Sequence, residues 1–168
     1  FVAHELKNPL TSIQGYSDVL LTGVAGAMSD QQKNFLSTIR ANAERMRRLR
    51  FAASIRPQKF VIEGGDETPV TMPRTAYQAV YPDGNVMIDS GMDQATHESF
   101  GQGEPYDPSA FARLKRALDE ARMIVLTHFH ADHVGGIVTA DNFDALAKKT
   151  VATAETLSFM MNNPHRPH

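Results

Sequence analysis

"MIVLTHFHADHVGG", residues 123–136, decides how the rest of the chain is read. Met123 to Leu126 form a short, wholly apolar run, the pattern of a buried strand. The run leads directly into His128, His130, Asp132 and His133, four polar residues within six positions. Residues two apart on an extended chain point the same way, so the rings of His128 and His130 project together at the strand exit. Asp132 and His133 follow in the turn. Imidazole and carboxylate together are the donor set of Zn²⁺ and related ions. Gly135 and Gly136 let the backbone pass close to such a site. A metal held there would draw the pKa of its water towards ~7, with Asp132 placed to orient that water or take its proton.

Working outward, "YQAVYPDGNVMIDSG" (77–91) reads as two strands joined by a Pro-Asp-Gly turn. "GQGEPYDPS" is a loop, and Asp107 or Ser109 caps a helix running to about Ala121. Beyond the histidines, residues 141–149 read as a helix, 150–154 as a strand and 155–163 as a helix. Strands alternating with helices predict an α/β layer structure. His97 and Glu98 fall in a loop and read as surface, while Met160 and Met161 read as core. Residues 57–76 are rich in Pro, Gly and Thr and carry no period.

With "VMIDSGMD" at 86–93, the histidine stretch resembles the metallo-β-lactamase fold superfamily. Residues 128–133 match its His-x-His-x-Asp-His motif, and Asp89 and Gly91 match its Asp-x-Gly turn. The resemblance covers residues 51–168. It implies an αββα sandwich, with His128 and His130 on one zinc and Asp132 and His133 on a second. It puts Asp89 behind the metal ligands or in a structural role. It also implies a small-molecule substrate, of the ester, thioester, lactone, lactam or phosphodiester class. The family uses a further His about sixty residues beyond the motif, a bridging Asp and a final His. Nothing here matches these, and the spacing of His165 and His168 fits neither histidine. The expectation is therefore an incomplete sandwich half, with two protein ligands per metal and weakened or partial zinc binding.

The other end of the chain speaks of different chemistry. "FVAHELKNPLTSIQGYSDVLL" (1–21) reads as a helix over 1–22, with an apolar stripe at spacings of three and four and a bend at Pro9. Ser29 and Gln32 form a capping box that starts a second helix over 30–49. Leu36, Ile39, Ala43, Met46 and Leu49 give that helix a near-heptad seam. His4, Glu5 and Asn8 lie away from the stripe. An exposed imidazole with a carboxylate beside it is a competent nucleophile. This stretch resembles the H-box of sensor histidine kinases, position by position through His-Glu-Leu-Lys-Asn-Pro-Leu, and the likeness covers about residues 1–49. It implies that His4 accepts a phosphoryl group, with Glu5 as base and Asn8 assisting transfer or hydrolysis. It implies a homodimeric four-helix bundle built from helices 1–22 and 30–49, and a response regulator as partner. No stretch resembles the family's ATP-binding domain, so self-phosphorylation is not expected.

Composition bounds the rest. Of 168 residues, 42% are hydrophobic, enough for a core, and the net charge of −2 predicts no general attraction to nucleic acid. "RMRRLR" (45–50) reads as the solvated face of a helix. Residues 1–50 hold seven Lys/Arg against four Asp/Glu, and residues 51–168 hold ten against fifteen. That asymmetry predicts two segments of different origin, 1–50 and 51–168. The absence of cysteine excludes disulfides and thiolate ligands and suits the cytoplasm. No apolar run approaches the ~20 residues of a membrane span. The sequence thus predicts an α plus α/β chain, a chimera of two incomplete domains with no complete native activity. Its best residual chemistry is zinc-dependent hydrolysis, and its alternative is phosphoacceptance on His4.

Overall fold

The computed structural model describes residues 2–101 and 103–162; for residues 2–10 and 44 it describes the backbone alone. The chain divides into two compact units, residues 1–47 and 48–168.

The first unit is a helical hairpin of α1 (Val2–Leu21) and α2 (Asp30–Arg45). The predicted capping box is present: the Ser29 hydroxyl accepts from Gln32 N–H, and the Gln32 side chain accepts from Ser29 N–H. An ion pair from Arg40 Nε to Asp18, 3.1 Å, links the helices. Ser17 and Ala43 are buried, while Tyr16, Phe35 and Ile39 are exposed.

The predicted second helix over 30–49 ends early. Met46 leaves helical geometry and opens strand β1 (Met46–Pro57). The part of the predicted seam at Met46 and Leu49 is therefore strand, and "RMRRLR" crosses from helix into strand. The override is tertiary, since residues Phe51 to Ser54 are consecutively buried in the sheet.

The second unit is a five-stranded mixed sheet in the order β1-β2-β3-β4-β5. β2 (Pro69–Tyr81) and β3 (Gly84–Ile88) form the expected antiparallel hairpin around Pro82 and Asp83. β4 (Ala121–Val125) runs parallel to β3, and β5 (Thr150–Val151) runs parallel to β4. β5 is only two residues long, shorter than the 150–154 strand expected. The outer side of β1 is closed by residues 105–107, through Ala53 N–H to Pro105 O and Asp107 N–H to Phe51 O.

α3 (Gln94–Phe100) and α4 (Pro108–Glu120) lie between β3 and β4 in the chain. Asp107 caps α4, accepting from Ala110 N–H, and Pro108 occupies the first turn, where a missing N–H costs nothing. Ala110, Leu114, Ala117 and Leu118 bury one stripe of α4 in a core with Met87 and Ile124. The other face of the sheet is less covered. Along its register run Ala79, Val86 and Met123, and beside them Tyr77, Ile88, Val125 and Val151. Burial falls towards β5, with Met123 43% and Val151 52% exposed.

Three local expectations are corrected. His97 is not in a surface loop: it lies on α3 with 0% exposure, because Asp93 caps a helix there. Asp132 and His133 are not in a turn but in the first turn of α5 (Ala131–Val138), whose two glycines are tolerated because tertiary packing requires them. Met161 is exposed, and only Met160 packs against the core. α6 (Phe143–Ala147) and α7 (Ala154–Asn162) complete the described elements.

Candidate functional site

β3 and β4 are parallel neighbours, so their carboxyl ends deliver Asp89 and Thr127 to the same edge of the sheet. The crevice outside the carboxyl ends of parallel strands is where open α/β sheets place ligands. Asp89 has φ 65°, in the left-handed region that Asp tolerates better than most residues. Its N–H still pairs with Val125 O, 2.9 Å. Its carboxylate, on a side chain 6% exposed, accepts three kinds of hydrogen bond: from Thr127 N–H at 2.8 Å, from the Thr127 hydroxyl at 2.8 Å, and from His133 Nδ1 at 2.7 Å.

The turn that follows clamps α5. Ser90 N–H donates to His133 O and Gly136 N–H to Gly91 O, each at 2.7 Å. The Ser90 hydroxyl donates to His133 O, 2.9 Å, and accepts from Ile137 N–H, 3.2 Å. A Cβ on Gly136 would collide with the Ser90 carbonyl oxygen, so only glycine lets the helix seat this closely.

His128, His130 and His133 form a ring cluster. Their centroids are 4.5 Å apart for His128 and His130, and 3.9 Å for His128 and His133. Thr127 Oγ1 lies 3.0 Å from His128 Nδ1, and Asp132 Oδ1 lies 3.7 Å from His133 Nε2. With both Nδ1 atoms engaged, Nε2 is the nitrogen that His128 and His133 keep for a ligand. Second partners of this kind fix imidazole tautomer and orientation at metal sites.

Electrostatics divide the pair. Burial lowers the basicity of His133, but the Asp89 hydrogen bond and the Asp89 and Asp132 charges outweigh it and push its pKa above the ordinary histidine value. His128 is held below that value by burial first, then by the neighbouring His133 and His130.

The donors are chemically right for a zinc-type ion, yet among the described residues no three His, Asp or Glu side chains converge on one point. The four residues read as metal ligands are brought together as neighbours but do not form a closed ligand set. A catalytic zinc takes at least three protein ligands, so this set alone does not fit the ion. His4, Glu5 and Asn8 lie on α1, and their side chains, like His165 and His168, fall outside the described residues.

Comparison with known proteins matches this division. The family model of the His Kinase A (phospho-acceptor) domain matches residues 1–49, and that of the metallo-beta-lactamase superfamily matches residues 69–144. The two matches fall on separate segments of the chain, each similar to a different family. No curated protein matches it. Its fold is similar to that of a mutant of B. thuringiensis AiiA solved with N-decanoyl-L-homoserine bound at the active site. That likeness has a TM-score of 0.51 and 16% identity, and covers 72% of this chain and 52% of the other. A second structure, from work on how mutations optimise a new enzyme function, gives 0.51 and 17%, covering 72% and 51%. The chain thus spans about half the length of these structures. At such identity the likeness concerns the fold, an α/β sheet of the metallo-β-lactamase kind behind a helical N-terminus.

In the second unit, two features escaped the sequence reading. Thr127 links Asp89 to two imidazoles; its only signal was its place immediately before the motif. Beside the motif, Arg74, His97 and Glu104 form a buried polar group that no spacing announced, because Arg74 lies 23 residues before His97 and reaches it from another element.

Proposed function

We propose that the second unit carries half of a zinc-dependent hydrolase site of the metallo-beta-lactamase superfamily's kind. Its substrate class would be esters, thioesters, lactones or lactams. The observation that carries this reading is the Asp89–Thr127–His133 network, which fixes imidazoles at the carboxyl ends of two parallel strands with Nε2 kept for a ligand. His128, His130, Asp132 and His133 are the metal donors in this reading, and Asp132 stands nearest to a catalytic role. Because no three of them converge, the described donors bind zinc weakly, and no complete activity is expected from this chain as a fusion of two partial domains.

The test is a calorimetric zinc titration, followed by dialysis and metal analysis, beside a His128→Ala/His130→Ala control. The expected result is weak binding that the control lacks and dialysis removes. Zinc surviving dialysis would mean that a second chain or residues 163–168 complete the site, overturning the half-site reading. Identical titrations for both proteins would remove the metal reading.

A second reading rests on the phospho-acceptor match and the capped hairpin of the first unit. In it His4 takes a phosphoryl group from another protein's kinase domain, with Glu5 and Asn8 assisting, within a homodimer that passes it to a response regulator. An acid-labile label from ATP and an active kinase domain, absent from His4→Ala, is the expected outcome. A label that survives His4→Ala would exclude it. No described helix is long and apolar enough to cross a membrane, and a cytoplasmic location is part of this proposal.

A further inference from the structure

Next to the histidine cluster lies a small cavity of about 230 Å³, lined by Arg74, Met92, Phe100, His130, Ala131 and Asp132. Its volume is below the range of whole ligand pockets, roughly 300–1,000 Å³, so it suits one end of a substrate. Arg74 is its unusual member. A guanidinium whose side chain is only 10% exposed has surrendered most of its hydration and needs compensation.

The compensation is partial. Arg74 Nη1 donates to His97 Nδ1 at 2.7 Å. A guanidinium can only donate, so Nδ1 accepts and the His97 proton sits on Nε2, facing Glu104 O at 3.2 Å. Glu104 itself is committed elsewhere. Its Oε1 accepts from Ile55 N–H and from Arg56. Its Oε2 is buried without a hydrogen-bond partner, 3.9 Å from Arg74 Nη2, too far for a hydrogen bond. The charges around Arg74 are therefore Arg56, Glu104 and Asp132, and none of the carboxylates takes its fork in a hydrogen-bonded pair. Burial pulls the guanidinium's pKa down, and the Asp132 and Glu104 charges oppose this.

A second, independent feature faces the same space. α5 begins at Ala131, and its cap residue His130 sends no side-chain hydrogen bond to the first turn. The first N–H groups of a helix have no acceptor within it, and the helix dipole favours negative charge there. A fixed guanidinium and the start of an eight-residue helix thus line one cavity, with apolar walls from buried Met92 and half-exposed Phe100.

We propose that Arg74 is a specificity-determining residue that receives a carboxylate group of the substrate, while Met92 and Phe100 receive the apolar part beside it. The inference rests on the hydrolase reading for its relation to the reacting centre, but the recognition itself belongs to Arg74 and α5. Asp132 shares the cavity, so the incoming carboxylate displaces it from the field of Arg74 rather than binding beside it unopposed.

The test is ligand-observed saturation-transfer NMR on the full, zinc-free chain, with hexanoate as probe and hexanamide as its neutral isostere. Hexanoate is expected to respond and hexanamide to respond at least about tenfold more weakly, the scale of one charge-assisted hydrogen bond. Arg74→Gln should abolish the preference, and Arg74→Lys should keep part of it. Phe100→Ala removes the Phe100 ring beneath the Arg74 guanidinium, 6.0 Å from Cζ to the centroid, but keeps the Arg74 bond to His97, and should weaken hexanoate while preserving its advantage over hexanamide. Should Arg74→Gln fail to fold, as judged by circular dichroism, the isostere comparison and Phe100→Ala still decide. Equal response to both probes, no response to hexanoate, or a preference retained in Arg74→Gln overturns the proposal. Because zinc is absent throughout, failure of the zinc titration and failure of this inference are separate results.

Discussion

Replacing Gly136 with alanine should cost the second unit a large share of its stability. The new Cβ would sit well inside van der Waals contact of the Ser90 carbonyl oxygen and 2.9 Å from the Ser90 carbonyl carbon. Both are backbone atoms, so no side-chain rotation relieves the clash. α5 must withdraw from the 90–91 turn. That withdrawal strains the bonds from Ser90 N–H to His133 O, Gly136 N–H to Gly91 O and Ile137 N–H to the Ser90 hydroxyl. Overpacking typically costs about 1–3 kcal/mol, and each weakened hydrogen bond about 1 kcal/mol. Alanine returns up to ~1 kcal/mol in helix propensity. At the low end of these ranges the net loss is about 3 kcal/mol, against domain stabilities of roughly 5–15 kcal/mol. For a unit of this size that lowers the melting temperature by about 12 °C. Urea and thermal melts followed by far-ultraviolet circular dichroism measure it directly. Gly15→Ala is the control: nothing lies within 4 Å of the added Cβ on α1, so helicity should hold or rise. A Gly136→Ala protein within about 1 kcal/mol of the parent would refute the clamp between the 90–91 turn and α5.

Asp89→Asn keeps an acceptor for Thr127 and tolerates the left-handed backbone, so it should cost about 1.5–3 kcal/mol through the lost charge on its hydrogen bonds. Asp89→Ala strands Thr127 and His133 and should cost about 3–5 kcal/mol; equal melts for the two variants would contradict this. In the metal-free chain the two histidines give opposite pH dependences. His133, raised in the fold, contributes stability that is whole below its unfolded pKa of ~6.5 and is lost as pH rises through its folded value. His128, lowered in the fold, contributes stability that is whole above ~6.5 and is lost as pH falls through its folded value. Denaturant melts across pH should therefore peak near ~6.5, with His133→Gln removing the alkaline decline and His128→Gln the acid one; unchanged profiles in both variants would count against the network. The half-covered sheet face carrying Met123 and Val151 should bind a hydrophobic dye and promote aggregation, and Met123→Lys should reduce both; a sharp monomeric melt without dye binding would sink that expectation.

Much of this fold was legible because local chemistry and global position agreed. Ser29 with Gln32, Asp107 before Pro108, and Pro82-Asp83-Gly84 each specify their own backbone, and each appears where its residues demand it. The reading failed where tertiary structure decided. Met46 and Leu49 keep a helical spacing yet lie in a strand, because the sheet beside β2 claims that backbone. α5 was hidden by Gly135 and Gly136, which disfavour a helix locally but are required against Ser90, Gly91 and Met92. The histidine motif was plain, yet its supports were not: Asp89 lies about forty residues away from Thr127 and His133, and Arg74, His97 and Glu104 come from a strand, a helix and a loop.

The seating of α5 on the 90–91 turn has an evolutionary consequence. The position of the histidine motif is set by main chain touching main chain, through Ser90, Gly91, His133 and Gly136. Side chains at His128, His130 and Asp132 can therefore be exchanged with little disturbance to the frame that presents them. Such a frame lets selection try new donor sets cheaply, and it makes the glycines, which carry no chemistry, less replaceable than the residues that do.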